Sequence, residues 1–413
     1  MIAPMGELIK TRLAPFRNKS FRFFFIAQTL SMVGTWSHDL ARSWIIAEAT
    51  GSSGALGNLN MVIAVPCLFL ILHAGVFVDR TDVRRMIQWT KSLLGIAALI
   101  LAAITEFSHL EVWHLLLFGL VEGVVMSFDS PAFQAVIVRM VPRADFQQAI
   151  ALNSTNFHTS RMLGPLVAGW LMAFHGPALV FLFDGITYLI VAGVMTYAHV
   201  RKIPYEVTKQ SSMQGLKEGL RYIYNSSMLR YRVAQLLLTI CCVYPLVVTV
   251  FRIYVYQKFA LTSHEYGMVF TFPALGSMSG ALGFAIFQPP KPIRALWVGV
   301  PLVFVMLMIL PLVPTLWWTV AVMSLAGFGL YLTFAALTVS MHLEVEEKYR
   351  GRLGSVIGLN FAAIGPLMSF PWGHLSDYIG PPMTIWICAL IFGFFSAVLG
   401  VAHHLHKGPW TDA

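Results

Sequence analysis

The chain predicts an all-α membrane protein of twelve transmembrane helices. About twelve apolar stretches follow one another, each about 20 residues long and so able to cross the hydrocarbon core of a bilayer. Of 413 residues, 57% are hydrophobic and only 11% charged, with a mean hydropathy of +0.71. That is more apolar surface than a water-soluble chain of this length can bury. The stretches are apolar on all sides and lack the alternation of barrel strands, so helix is the expected state.

In order, the spans are expected at 22–48, 55–78, 88–106, 112–138, 146–174, 177–199, 229–257, 265–287, 294–313, 315–342, 353–377 and 380–402. Basic residues orient them. Arg12, Arg17, Lys19 and Arg22 precede the first span; Arg80, Arg84 and Arg85 follow the second; Arg139 and Arg143 follow the fourth. Arg201, Lys202, Lys209, Lys217, Arg221, Arg230 and Arg232 crowd the segment after the sixth, and Lys348, Arg350 and Arg352 that after the tenth. The alternate loops carry almost none, Lys258 being the clear case. The basic loops and both termini are therefore expected to face the cytoplasm. This topology accounts for the net charge of +9, so no nucleic-acid partner is implied. The first apolar run is a full span without a small-residue cleavage site and is expected to be retained.

Cys67, Cys241, Cys242 and Cys388 fall inside spans, without a C-x-x-C motif, and behave as small buried apolar residues. The tail His403-His404-Leu405-His406 is taken as interfacial histidine beyond a helix end, and no metal site is expected. No Walker motif, zinc spacing, nucleophile elbow or dinucleotide loop occurs, which argues against an enzyme and against direct ATP drive. Most of the tryptophans (Trp36, Trp44, Trp113, Trp317, Trp318, Trp386) are expected in interfacial belts, and Gly276, Gly280 and Gly283 at a helix-packing and gating surface.

The polar segment Arg201 to Ser227 splits the chain. The expected organisation is a cytoplasmic N-terminal segment 1–21, a six-helix bundle 22–200, a cytoplasmic central loop 201–228, a second six-helix bundle 229–402 and a cytoplasmic tail 403–413. The halves echo each other. Gly164-Pro165-Leu166 in span five recurs as Gly365-Pro366-Leu367 in span eleven, and each precedes a Gly/Pro turn, His175-Gly176-Pro177 or Gly380-Pro381-Pro382. Repeated halves are a mark of secondary transporters.

Asp39 and Arg42 of span one share a helical face, three residues apart. Glu122 of span four, running the other way, lies at almost the same depth, and Asp129 about 10 Å further inward. Charges inside a span are costly and mark function. Desolvation favours a neutral acid and a nearby arginine favours a charged one, and that competition suits proton coupling. Asp39, Glu122 and Asp129 are thus the proton-coupling candidates, with Arg42 and Arg161 as charge partners. The plainer alternatives are a permanent Asp39–Arg42 pair, a helix-turn or gate role for Asp129 ahead of Pro131, and Arg161 as a structural partner of Asp129 or of carbonyls freed by Pro165. Trp36, His38, Phe128 and His158 are the candidate cavity residues. Asp184 and Arg252 are placed nearer the outer interface, where charge can snorkel.

Gly75-Val-Phe-Val-Asp79-Arg80-Thr-Asp-Val-Arg84-Arg85 resembles the G-x-x-x-D-R-x-x-R-R loop of the major facilitator superfamily, and Gly164-Pro165 its antiporter motif. The series Phe128-Asp129-Ser130-Pro131-Ala132, Val141-Pro142-Arg143, Leu152-Asn153-Ser154 and Arg161-Met-Leu-Gly164-Pro165 resembles the enterobactin-exporter-like branch of drug/proton antiporters. The resemblance implies a twelve-helix fold in two pseudo-symmetric halves, alternating access, export, and a central cavity lined by spans one and four. It departs in two places. The R-x-x-Q-G pattern of span four is Gly119-Leu-Val-Glu122-Gly123, and the second acidic loop is degenerate at Gln288-Pro-Pro-Lys291-Pro-Ile-Arg294. Gly75, Asp79, Arg80, Arg84 and Arg85 are then expected to latch the cytoplasmic gate, with Asp79 accepting from a neighbouring helix N-terminus and Gly75 permitting close approach. Gly164, Pro165, Gly365 and Pro366 are the expected hinges.

The expectation is a monomeric inner-membrane secondary transporter. It exports a small amphiphilic molecule, such as a siderophore or drug-like compound, with the proton gradient as energy source and no cofactor. Its partners are the cargo, protons and the lipid bilayer. An importer or facilitator of a polar metabolite, a lipid or lysolipid flippase, and, more distantly, a non-transporting sensor are the alternatives.

Overall fold

The structure, a computed structural model, describes residues 13–201, 212–287 and 289–407. Among them are twelve long helices, one short one and no strand. The first six are α1 (Lys19–Thr50), α2 (Ser53–Arg80), α3 (Val83–Phe107), α4 (Val112–Met140), α5 (Phe146–His175) and α6 (Pro177–Tyr197). The short helix α7 (Ser212–Asn225) follows. Then come α8 (Ser227–Phe259), α9 (Ser263–Phe287), α10 (Pro292–Leu312), α11 (Leu316–Glu344), α12 (347–379) and α13 (Pro381–Lys407). Every expected span is a helix. Ten are apolar and long enough to cross a membrane. The other two, α1 and α5, have the length, at 32 and 30 residues, but carry many hydroxyl, amide and charged side chains. The most polar helices are therefore the ones to search for chemistry.

The loop expected at 201–228 contains α7. Its Glu218 pairs with Arg352 at 2.7 Å, and Tyr222 stacks on Tyr349 with ring centroids 4.1 Å apart. A short amphipathic helix has no long apolar run, which is why hydropathy alone gives a loop. Lys202 and Lys209, and the side chains of the histidine tail, lie outside the described residues.

The chain forms two compact units, Met1–Arg42 with Phe69–Lys209, and Ser43–Leu68 with Gln210–Ala413. In the first, glycines bring helices together. A methyl group on Gly95 would lie 3.1 Å from the Gly185 carbonyl oxygen, and one on Gly185 3.1 Å from that of Gly95, so α3 and α6 meet backbone to backbone. A methyl group on Gly164 would lie 2.3 Å from Trp36 Cβ, which fixes the crossing of α1 and α5. The Ser37 hydroxyl donates to the Gly164 carbonyl at 2.8 Å across that crossing.

In the second unit, α9 lies equally close to α11: methyl groups on Gly276 and Gly280 would stand 2.0 and 2.4 Å from the Ser324 and Phe328 carbonyl oxygens. Gly283, expected in the same surface, meets only the Phe328 ring edge at 4.0 Å. Two helices carry a wide π turn, Leu246–Val250 just after Pro245 in α8 and Asn360–Ile364 just before Gly365-Pro366 in α12. In α12 Pro366 lacks the donor and crowds the preceding turn, so the ladder widens there. Gly365 also meets Tyr244, where a methyl group would lie 2.9 Å from Cδ1. The start of α2 is capped by Asp377, which accepts from the Ser53 and Gly54 amides at 2.7 and 2.9 Å. Trp44 is buried between Tyr256 and Tyr266 and the Trp386 indole donates to the Met308 carbonyl, so these two are packing residues and not belt residues.

Candidate functional site

The first unit holds a small, partly open pocket with a polar and an apolar wall. Thr35, His38 and Arg42 of α1, Glu122 of α4, and Asp184 and Tyr188 of α6 supply its polar wall. Leu94, Leu101, Leu115 and Phe118 supply apolar surface. Thr35, His38 and Arg42 recur at helical spacing, so one face of α1 lines the cavity. Gly119, where the superfamily pattern has arginine, is part of the wall and leaves room beside Glu122.

Arg42 is the centre of the charge cluster. One guanidinium nitrogen donates to Glu122 on α4, the other to Asp39 one turn earlier at 3.0 Å. The arginine side chain is 11% exposed and each acid 21%. The bridge places Asp39 and Glu122 at one depth, as counting along the antiparallel helices predicts. It forms inside one unit, facing the cavity just described.

Asp129 stands apart. It is buried and takes the Lys91 ammonium of α3 at 2.9 Å and the Thr90 hydroxyl at 2.5 Å. Sequence reasoning missed Lys91, which lies just inside the expected third span and merges with its basic flank. Arg161 is not the partner of Asp129; its guanidinium lies over the Trp36 ring, 5.5 Å from the centroid. Trp36, Phe128 and His158 are not among the residues that line this pocket. Phe128 meets Phe77 edge-on at 5.9 Å, and His158 meets Phe157 edge-on at 5.5 Å.

Asp184 and Arg252 overturn their placement as snorkelling interfacial charges. Asp184 is 1% exposed, and its Oδ2 lies 2.9 Å from His38 Nδ1. Arg252 is buried in the second unit, where it donates to the Ser43 hydroxyl and lies 5.7 Å from the Phe270 centroid. Depth along a span does not report which face a residue presents, and both point into protein.

The loop after α2 carries Asp79, Arg80, Asp82, Arg84 and Arg85. Asp79 is exposed and makes no hydrogen bond to a described residue. Gly75 has open space where a methyl group would go. Asp82 caps α3, accepting from the Arg84 amide at 3.0 Å, and the Arg84 side chain donates to the Thr196 carbonyl. Arg80 and Arg85 are exposed.

Comparison with known proteins gives concordant results. A family model described as "Transmembrane secretion effector" matches residues 10–412. The staphyloferrin A transporter of Staphylococcus aureus is 25% identical over 191 residues, 46% of this chain and 48% of its own length, so the match spans about half of that relative. The multidrug efflux pump Tap of Mycobacterium tuberculosis is 24% identical over 96% of this chain and 97% of its own. Among solved structures, a bacterial homologue of the human lysosomal transporter Spinster superposes with a TM-score of 0.76, at 14% identity, over 97% of this chain and 99% of that one.

Proposed function

The chain belongs to the transmembrane secretion effector family of the major facilitator superfamily, transporters and not enzymes, and we propose that it exports a small amphiphilic molecule against inward proton flow. The observation that carries this reading is Arg42, which binds Asp39 and Glu122 from two helices beside a small pocket that Arg42 and Glu122 help to line. A guanidinium stays charged at any physiological pH, so the two carboxylates compete for one fixed cation. A proton arriving on either acid leaves the other paired and changes the net charge of the cluster by one. Alternating access then needs only two states that prefer different charge. The relatives named as a siderophore transporter and a multidrug efflux pump support a siderophore or drug-like cargo. On this reading the proton gradient is the energy source, no cofactor takes part, and the protein works as a monomer in a bacterial inner membrane with both termini in the cytoplasm.

Asp39→Asn is expected to lower pH-gradient-driven efflux from proteoliposomes by roughly tenfold or more, a change of at least about 1.4 kcal/mol in coupling. The melting temperature in detergent should hardly move, because Arg42 keeps Glu122. Wild-type efflux in this variant would remove Asp39 from coupling. Inverted vesicles settle direction: an exporter accumulates cargo in them when their interior is acidified, and an importer does not.

A further inference from the structure

Two carboxylates are fully buried among the described residues, Asp129 and Asp184. They are held very differently. Asp129 has a lysine and a threonine hydroxyl, one on each oxygen. Asp184 has only His38, on Oδ2, and its Oδ1 is buried without a hydrogen-bond partner. That oxygen is pressed against the α1 backbone, since a methyl group on Gly34 would lie 2.8 Å from it and 2.7 Å from Thr187 Oγ1. The Thr187 hydroxyl donates to the main-chain carbonyl of Asp184 at 2.8 Å, so its proton is committed elsewhere.

We propose that the Asp184–His38 pair is a proton-binding station of the transport cycle, additional to the Arg42 cluster. Arginine holds its proton, so Asp39 and Glu122 face a fixed positive charge, while Asp129 faces the Lys91 ammonium. Asp184 faces instead the side chain whose charge changes across physiological pH. The pair takes up one proton. In the deprotonated form neutral His38 donates its Nδ1 proton to the Asp184 carboxylate, and the pair carries one negative charge. Uptake of a proton, at His38 Nε2 or at the carboxylate, leaves the pair neutral overall, and release restores the first state. The surroundings connect it to the rest of the unit. Arg42, Glu122 and Tyr188 share its cavity. The Tyr188 hydroxyl lies 2.8 Å from that of Thr35, and the Lys91 ammonium stands 5.1 Å from the Tyr188 ring centroid. The station thus lies on a run of polar groups between the Arg42 cluster and Asp129. Its role in transport rests on the proton-coupled reading above; its titration does not.

The test needs no cargo. Infrared difference spectra of the reconstituted protein, recorded between acidic and alkaline buffer, report protonation of buried carboxyls and of histidine. The wild type is expected to show signals of this station beside those of the Arg42 cluster, and the variants tell the two apart. Asp184→Asn should lose the station's signals, His38→Gln should shift them in pH, and Glu122→Gln should keep them. Asp184→Glu restores a carboxyl, and recovery of the signals in it guards against misfolding of the asparagine variant. Difference spectra of Asp184→Asn identical to those of the wild type at every pH, or no titrating station in the wild type, would overturn the proposal. Proteoliposome flux separates the two ideas. A station that titrates in a protein indifferent to the pH gradient leaves the pair standing and defeats proton coupling. Gradient-driven flux with an unaffected Asp184→Asn titration does the reverse.

Discussion

Arg42→Ala is expected to abolish gradient-driven transport and to destabilise the protein more than loss of either acid alone. The substitution leaves Asp39 and Glu122 in place and removes the cation that joins them across α1 and α4. Breaking a buried pair by deleting one partner costs about 3–5 kcal/mol, and the acids' partial exposure puts this site toward the lower end. Adding Glu122→Gln should recover much of the stability, because one stranded charge is gone. The thermodynamic cycle is read from melting temperatures of the wild type, both single variants and the double variant. Effects that merely add would dissolve the Arg42–Glu122 link. Transport should stay absent in the double variant whatever its stability, which separates the fold from the coupling.

Gly164→Val carries the second large effect. No side chain fits where a methyl group would already sit 2.3 Å from Trp36 Cβ and 3.1 Å from the Ser37 amide nitrogen. Valine must push α1 from α5, breaking the Ser37 bond to the Gly164 carbonyl and moving the ring on which Arg161 lies. Overpacking of this kind costs about 1–3 kcal/mol and occasionally more. Gly75→Ala is the control. Its added methyl group meets open space inside a helix, and alanine is the better helix former by about 1 kcal/mol. The prediction is a fall in melting temperature for the first and none for the second; equal falls would mean that the crossing is not tight.

Much of this was readable beforehand, for physical reasons that also mark the limits. A span announces itself because every side chain that faces lipid must be apolar, so ten of the twelve long helices stand out by hydropathy, and α1 and α5 follow from their length despite their polar residues. Asp39, Arg42 and Glu122 follow from two numbers, the residues per turn and the rise per residue, because α1 and α4 run antiparallel. Gly164 follows as a special position from its motif, although its partner, Trp36, does not. What fails is direction around the helix axis. Depth alone assigns Asp184 and Arg252 to the interface, yet helix rotation turns both into protein. Lys91 was lost at a boundary, where a buried ammonium and a flanking one look alike in sequence. The acidic loop shows the converse: its motif is plain, but Asp79 finds no described partner. Short α7 was hidden by the same logic that revealed the rest, since a helix lying along polar surroundings has no hydropathy signal.

The π turns in α8 and α12 give these helices a phase slip. Each holds one residue more than a regular turn, so everything beyond it is rotated by about 100° relative to an uninterrupted α-helix. A cysteine scan along α8 should therefore show two periodic accessibility patterns that fall out of step between Leu246 and Val250. Deleting one residue there would repair the ladder and misdirect the helix, swinging Arg252 off the Ser43 hydroxyl and the Phe270 ring. The extra residue is thus part of the sequence's addressing. It lets a single helix present one set of faces before the turn and another after it, and an alignment that closes the gap assigns every later residue to the wrong neighbour.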